Sequence, residues 1–550
     1  MTRWDGRWCV LGILGALSCS NGQSNLPASG GTAGSGGVSG TGASGGVGGT
    51  GGRSGSSGSA GSMNAGGAAG STNTGGAAGS TNTGGAAGST NTGGAAGSSG
   101  AAGSVDAGGA SGAGGSNPPD AGGSGAAGAD AGVATDGGRP DSGPFDGEGV
   151  VWTRPAPRAT CRAGDPGETG IQGLGVNVRC NIDVIGSVPA ENFLSLAWRD
   201  TCAYVNAQSG TSVIDVADDA HPVVVKTLTT TGMQSNWESM KVGSTGLLAG
   251  YQSNGGIVDV YDVAADCKNP ILKKSWNLGG SGHAGNFSPD GTIYYASSMY
   301  TSTVYAVDLK DPANPVVITG MNDRGTHDLF IGKGGNRGYF AYPSLLNLGV
   351  GSLAIIDLTS VQARAPGAKG TLVKEWTWAD GSTSQYPIPL TYRGKDYLVV
   401  TDELGSGNCN DPNKPVYGYG HLFDISNEQD PKLVAKIYTS AQGSASDCQM
   451  SSTQGGTGFG VGTHYCNVDR QDDPRLLACG LWAGGLRVFD IRNPWMPKEV
   501  AYLQTGTSGQ VAGLVRILTE KRQLWVQTST TFYVLKLPDS IIDPILASSP

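Results

Sequence analysis

Five histidines occur in this 550-residue chain, and three of them fall at one position of an internal repeat. His283 and His464 stand 25 and 26 residues before Asp308 and Asp490, aspartates of a recurring motif, and His327 stands 30 residues before the equivalent Asp357, across a longer hairpin. Trp237-Glu238 occupy the corresponding place one repeat earlier. Imidazoles brought together around one axis are what a transition-metal centre requires. His283, His327 and His464 are therefore candidate ligands of a copper-like ion, and with Trp237 and Glu238 they make a candidate ligand-binding mouth. The same pattern also suits a wet polar lining that hydrogen-bonds water and neighbouring backbone. Asp402-Glu403 could supply acidic ligands there but read as a solvated acidic rim, and His221 and His421, at other repeat positions, read as structural. The folded part contains no Gly-x-Ser-x-Gly elbow, His-Glu-x-x-His pair or phosphate-cradling loop, so no catalytic residue is assigned. Gly42-Ala-Ser-Gly-Gly46 fits the elbow by composition alone.

These residues need a frame that brings distant repeats to one axis. From about residue 181 a strand ending in Asp and an aliphatic residue recurs: Val213-Ile-Asp215-Val216, Val260-Tyr-Asp262-Val263, Ala306-Val-Asp308-Leu309, Ile355-Ile-Asp357-Leu358, Leu422-Phe-Asp424-Ile425 and Val488-Phe-Asp490-Ile491. A seventh copy, Tyr533-Val-Leu535-Lys536, lacks the Asp. Successive motif aspartates are 47, 46, 49, 67 and 66 residues apart. A period near ~45 with four short strands per copy is the signature of propeller blades. With strands A to D in each blade and the motif on C, seven C strands give seven blades. The last lacks its outer strand, and the spare Ile182-Asp-Val-Ile-Gly186 before blade one can fill that place and remove an exposed sheet edge. The fold expected is thus all-β, a seven-bladed propeller over residues 181–538 with a tail at 539–550. The motif Asp, ending a strand before a turn, is expected to cap backbone N–H groups.

Val213-Ile-Asp-Val216 and Gly485-Leu-Arg-Val-Phe-Asp-Ile-Arg-Asn-Pro-Trp-Met-Pro497 resemble the LVIVD-repeat family of β-propellers, over roughly residues 180–538. The resemblance implies the fold and a secreted or surface setting, and it carries no assigned biochemical activity. More distantly, the channel histidines are similar in placement to those of the selenium-binding protein and methanethiol oxidase propellers, which implies a metal-dependent oxidoreductase as the alternative to a binding module.

Residues 1–19 read as a signal peptide: Arg3 and Arg7, then an apolar run from Trp8 to Leu17 too short to span a bilayer, then Gly15-Ala16-Leu17-Ser18-Cys19. The ending resembles a bacterial lipobox, which implies lipidation at Cys19, and neutral Ser20 after it favours the outer membrane. No later stretch is apolar enough to cross a membrane. From Ser20 to Pro144 there is no Phe, Trp or Tyr, and Gly-Gly-Ala-Ala-Gly-Ser-Thr-Asn-Thr repeats from Gly66, Gly75 and Gly84. Such a segment cannot bury enough apolar surface to offset its ordering entropy. Residues 20–150 therefore read as a disordered tether, with a reach of roughly 60 Å for about 125 flexible residues. The formal net charge of −9 argues against a nucleic-acid surface and against membrane contact other than through the anchor.

Excluding Cys9 and Cys19, eight cysteines remain, an even number in an exported chain. Cys466 and Cys479 fall symmetrically about a turn in blade six, Cys202 and Cys267 at the same end of neighbouring blades, and Cys161 and Cys180 in a stapled lead-in spanning 151–180. Cys409 and Cys448 lie in the long insertions Glu403–Tyr419 and Ser440–Gly462 and are expected to pair, pinning a rim over the channel mouth. The function expected is a lipid-anchored, envelope-facing binding module for a surface protein, glycan or small molecule, with a transition metal as the one cofactor suggested.

Overall fold

The computed structural model describes residues 144–167, 177–191, 194–322, 325–343, 349–381, 383–403, 418–440, 442, 461–505 and 510–548. The signal peptide with Cys19, residues 20–143 of the expected tether, and the Cys409–Cys448 pair lie outside these residues. The last part of that tether, 144–150, is corrected, since Phe145 packs edge-on against Tyr392 of the propeller at 6.0 Å. The chain divides into two units, residues 23–137 and the remainder, and the propeller belongs to the latter.

Seven antiparallel sheets form seven blades. Blade one runs Leu196–Arg199, Cys202–Ala207, Gly210–Asp215 and Val223–Leu228 as strands A to D, and blades two to six repeat this order. Blade seven takes A to C from Arg516–Leu518, Gln523–Gln527 and Thr531–Lys536, and its D strand from Asp183–Pro189. The ring closes as the repeat count requires, with the last blade completed from the N-terminal side.

Strand alternation explains the cores. Adjacent C-strand residues face opposite neighbours: Val213 packs toward blade two with Leu248 and Val263, and Ile214 toward blade seven with Trp525 and Val534. The other blade pairs are filled in the same way, so the apolar interior is a ring of inter-blade cores. Between strands C and D every blade carries a register shift of the β-bulge kind, next to the motif Asp in blade one (Val213/Ile214), blade three (Ala306/Val307) and blade six (Val488/Phe489). Each motif carboxylate then accepts the N–H two residues on: Ala217 to Asp215, Ala264 to Asp262, Lys310 to Asp308, Thr359 to Asp357, Ser426 to Asp424 and Arg492 to Asp490, all at 2.8–3.1 Å. The motif aspartate is a turn cap.

The lead-in is tied down more thoroughly than a staple requires. Asn177–Cys180 adds a fifth strand to blade six against Lys498–Thr505, and Trp152 pairs with the outer strand of blade five, its N–H donating to the Val434 carbonyl. Arg162 bridges Asp165 and Asp183 at 3.1 and 2.8 Å. Cys161–Cys180, Cys202–Cys267 and Cys466–Cys479 are disulfide-bonded as the spacing predicts, which points to an oxidising, exported environment. The tail carries a helix, Asp539–Leu546, whose Ile542 and Ile545 enter the core between blades six and seven. Among the described residues no helix is long and apolar enough to cross a membrane.

Candidate functional site

The three histidines share one backbone position. Each lies at the start of an innermost strand, and each N–H donates to strand B of its own blade: His283 to Ser297, His327 to Ala341 and His464 to Gly480. Glu238 reaches the same level differently. Trp237 before it is held at φ +43°, a left-handed conformation costly for an L-residue, and the Glu238 N–H donates to the His283 carbonyl of the next blade.

The side chains meet around the axis. Glu238 Oε2 lies 3.2 Å from His283 Nε2, and its Oε1 lies 2.9 Å from His464 Nε2. Glu403 completes the group, 3.5 Å from His327 Nε2 and 3.6 Å from His464 Nε2. The His283 and His327 rings stack at 4.6 Å. All five side chains are at most 11 % exposed, so the solvated rim anticipated at Asp402-Glu403 is corrected: both residues are buried. Their burial follows from the ring geometry, which turns the end of blade five's second strand inward beside His464.

Hydrogen bonding fixes what the imidazoles present. The Nδ1 of His327 faces the Ser384 carbonyl at 3.1 Å and that of His464 faces the Ala512 carbonyl at 2.5 Å. A carbonyl can only accept, so Nδ1 carries the proton. Burial, then the neighbouring His283, pushes the His327 pKa down to about 3 and keeps that ring neutral. Its Nε2 lone pair is thus aimed at carboxylate oxygens. Neither Glu238 oxygen, neither His283 nitrogen, nor His464 Nε2 makes an aligned hydrogen bond, although all are buried. Burial opposes ionisation of Glu238, but His283 and His464 outweigh it and hold the carboxyl well below its usual range. Burial and the Glu238 charge push Glu403 well above its own.

Around this centre, Trp237 meets the His283 ring edge-on at 5.1 Å, Trp482 lies against His464 at 4.4 Å, and Tyr300, 58 % exposed, stands 6.2 Å from His283. Further along the inner strands Lys241 Nζ donates to the Glu238 carbonyl at 2.5 Å, and the Tyr465 hydroxyl donates to Asp328 from across the ring. Burial pushes Asp328 up to about 7 against the opposing Lys241 charge. Below them is a cavity of about 180 Å³ bordered by Lys241, Asn286, Tyr386 and Asn467.

The structure brings His283, His327, His464, Glu238 and Trp237 together, whereas sequence reading gave no role to Asp328, Tyr465 or Tyr300. A signal existed for two of these: Asp328 and Tyr465 directly follow His327 and His464. His221 is exposed and paired with Asp218, whereas His421 is buried between Asp380 and Asp402, at 3.2 and 3.4 Å. The long insertions expected to form a rim over this mouth fall largely in residues 404–417 and 443–460, outside the described residues.

No family model matches the chain, and no curated protein matches it. Among solved structures it is similar to Kuenenia stuttgartiensis hydrazine synthase, with 13% identity, TM-score 0.44, and coverage of 66% of this chain and 96% of that one. It is also similar to a structural-genomics target protein from Lactobacillus plantarum, with 13% identity, TM-score 0.42, and coverage of 57% and 85%. What this chain is on its own structure is a seven-bladed, disulfide-bonded β-propeller with imidazoles and carboxylates gathered at one end of its axis.

Proposed function

We propose that this chain is an exported propeller of the LVIVD-repeat type, lipid-anchored at Cys19 and held off the outer membrane by its Gly-rich tether, that binds a divalent transition-metal ion at the mouth of its channel. One observation carries the metal-binding part: the buried Glu238 oxygens confront His283 Nε2 and His464 Nε2 at 3.2 and 2.9 Å without an aligned hydrogen bond, with Glu403 3.5–3.6 Å from His327 and His464 beside them. An imidazole lone pair and a carboxylate oxygen at that range repel unless a proton or a metal cation lies between them, and a metal ion is the one cation that several of these atoms can share at once. The backbone carbonyls on His327 and His464 favour the reading further, since metal-binding imidazoles are usually fixed through their second nitrogen in this way.

Three imidazoles alone would suit a copper-like centre. The two carboxylates beside them make a harder donor set, better matched to zinc, iron(II) or manganese(II). The partner or small ligand that the module engages would then meet the ion beside Trp237 and Tyr300. The test is metal analysis of full-length protein, with unfolding temperature followed as each divalent ion is added to chelator-treated samples. At about 100 times Kd a specific ion should add roughly 2.7 kcal/mol of stability. Absence of bound metal, with the same response from the His283→Ala/His327→Ala/His464→Ala variant, overturns the reading.

A further inference from the structure

We infer that the channel mouth is built for two metal ions bridged by the Glu238 carboxylate, with an anionic oxygen ligand completing their coordination. The inference rests on the metal-binding reading above and specifies what that site holds.

The donors do not converge on one point. They fall into two sets, Glu238–His283–His327 and Glu238–Glu403–His464, and within each set the ligand atoms lie within 4.8 Å of one another. Glu238 belongs to both because its two oxygens diverge, Oε2 toward His283 and Oε1 toward His464. Glu403 is disposed similarly, with Oε2 toward His327 and Oε1 toward His464. His283 and His327 are stacked on one side at 4.6 Å, whereas His464 leans on Trp482. A single ion would leave one oxygen of Glu238 facing an imidazole across no more than a shared proton. Two ions about 3.5–4 Å apart, the usual separation of dinuclear centres, give every one of these atoms a partner.

Charge leads to the remaining ligand. Two divalent ions bring four positive charges into a buried site, and the two carboxylates return two. An anionic oxygen donor, either hydroxide or a carboxylate or phosphate group of a bound molecule, lowers the remaining charge and occupies the positions the protein leaves open. The two pockets are unequal. Two imidazoles and the Glu238 carboxylate serve the first ion, one imidazole and two carboxylates the second, so manganese(II) fills them in sequence, with the more exposed Glu403 side last.

The experiment is titration of chelator-treated full-length protein with manganese(II) alone, read by bound-metal analysis and electron paramagnetic resonance. Two equivalents should bind, the first giving the six-line spectrum of an isolated ion and the second converting it to an exchange-coupled spectrum. Glu403→Gln should weaken the second equivalent by about tenfold or more and keep the first. His464→Ala, checked for folding by circular dichroism, should bind one uncoupled ion. One equivalent with an uncoupled spectrum in the parent protein overturns the dinuclear centre and leaves metal binding standing. No binding of manganese, zinc or cobalt overturns both. A second equivalent undiminished in both variants overturns the assignment of its ligands.

Discussion

His421 sets a pH dependence that can be worked from the structure. Its ring is fully buried, with Nε2 3.2 Å from Asp380 Oδ1 and Nδ1 3.4 Å from Asp402 Oδ2. Lys436 pairs with the second Asp380 oxygen, and Trp378, Tyr419 and Phe423 surround the ring. Burial disfavours the imidazolium, but the two carboxylates outweigh it and raise the pKa from 6.5 to about 9. A folded-state pKa above the unfolded one means that the native state holds the proton more tightly. The stabilisation is therefore complete below about pH 6.5 and is lost as pH rises through about 9. At 1.36 kcal/mol per unit the full contribution is on the order of 3 kcal/mol.

The consequence reaches the proposed metal site because Asp402 directly precedes Glu403, and loss of the imidazolium leaves a buried carboxylate without a counter-charge at that point. Burial and Lys241 set the Asp328 transition near 7, so that group completes its change below the upper half of this window. The assay is the urea midpoint of full-length protein at pH 6, 7.5 and 9.5, beside His421→Gln, which keeps a polar side chain and cannot ionise. The parent should lose stability relative to the variant across the window, with the largest difference at pH 6. Parallel profiles for the two proteins would refute the assignment of the proton to His421.

Two further outcomes follow from the covalent and targeting features. Replacing Cys202 and Cys267 together by Ser frees a loop closed over a separation of 65 residues, which the chain-entropy treatment values at about 4 kcal/mol; the urea midpoint should fall accordingly, and an unchanged midpoint would show that blades one and two are held by their shared core alone. Cys19→Ser should move the protein from the membrane pellet to the soluble fraction on cell fractionation, and a variant that still pellets would place the anchor elsewhere.

The sequence by itself determined the number of blades, the ring closure, the three described disulfides and the capping role of the motif aspartates. Each of these depends on local periodicity. A strand with period-2 burial and a turn-capping Asp reads the same wherever its blade is placed, and counting C strands is enough to find the missing D strand at Asp183–Pro189. Cys466 and Cys479 could be paired for the same reason, being direct cross-strand partners around one turn. The helix at Asp539–Leu546 was less legible, because Pro544 interrupts a short segment whose order comes from docking Ile542 and Ile545.

What only the tertiary structure decided lies on the axis. The alignment of repeats put three histidines at one level, but it could not tell a wet lining from a set of unpaired donors, because that depends on where each side chain points across the ring. Glu403 looked like a solvated rim residue, and blade five turns it inward beside His464. The two oxygens of Glu238 divide between histidines 45 and 226 residues away in sequence, and Tyr465 finds Asp328 at a separation of 137. Such pairings are set by the radius and tilt of seven packed blades, a property of the closed ring that no single repeat encodes.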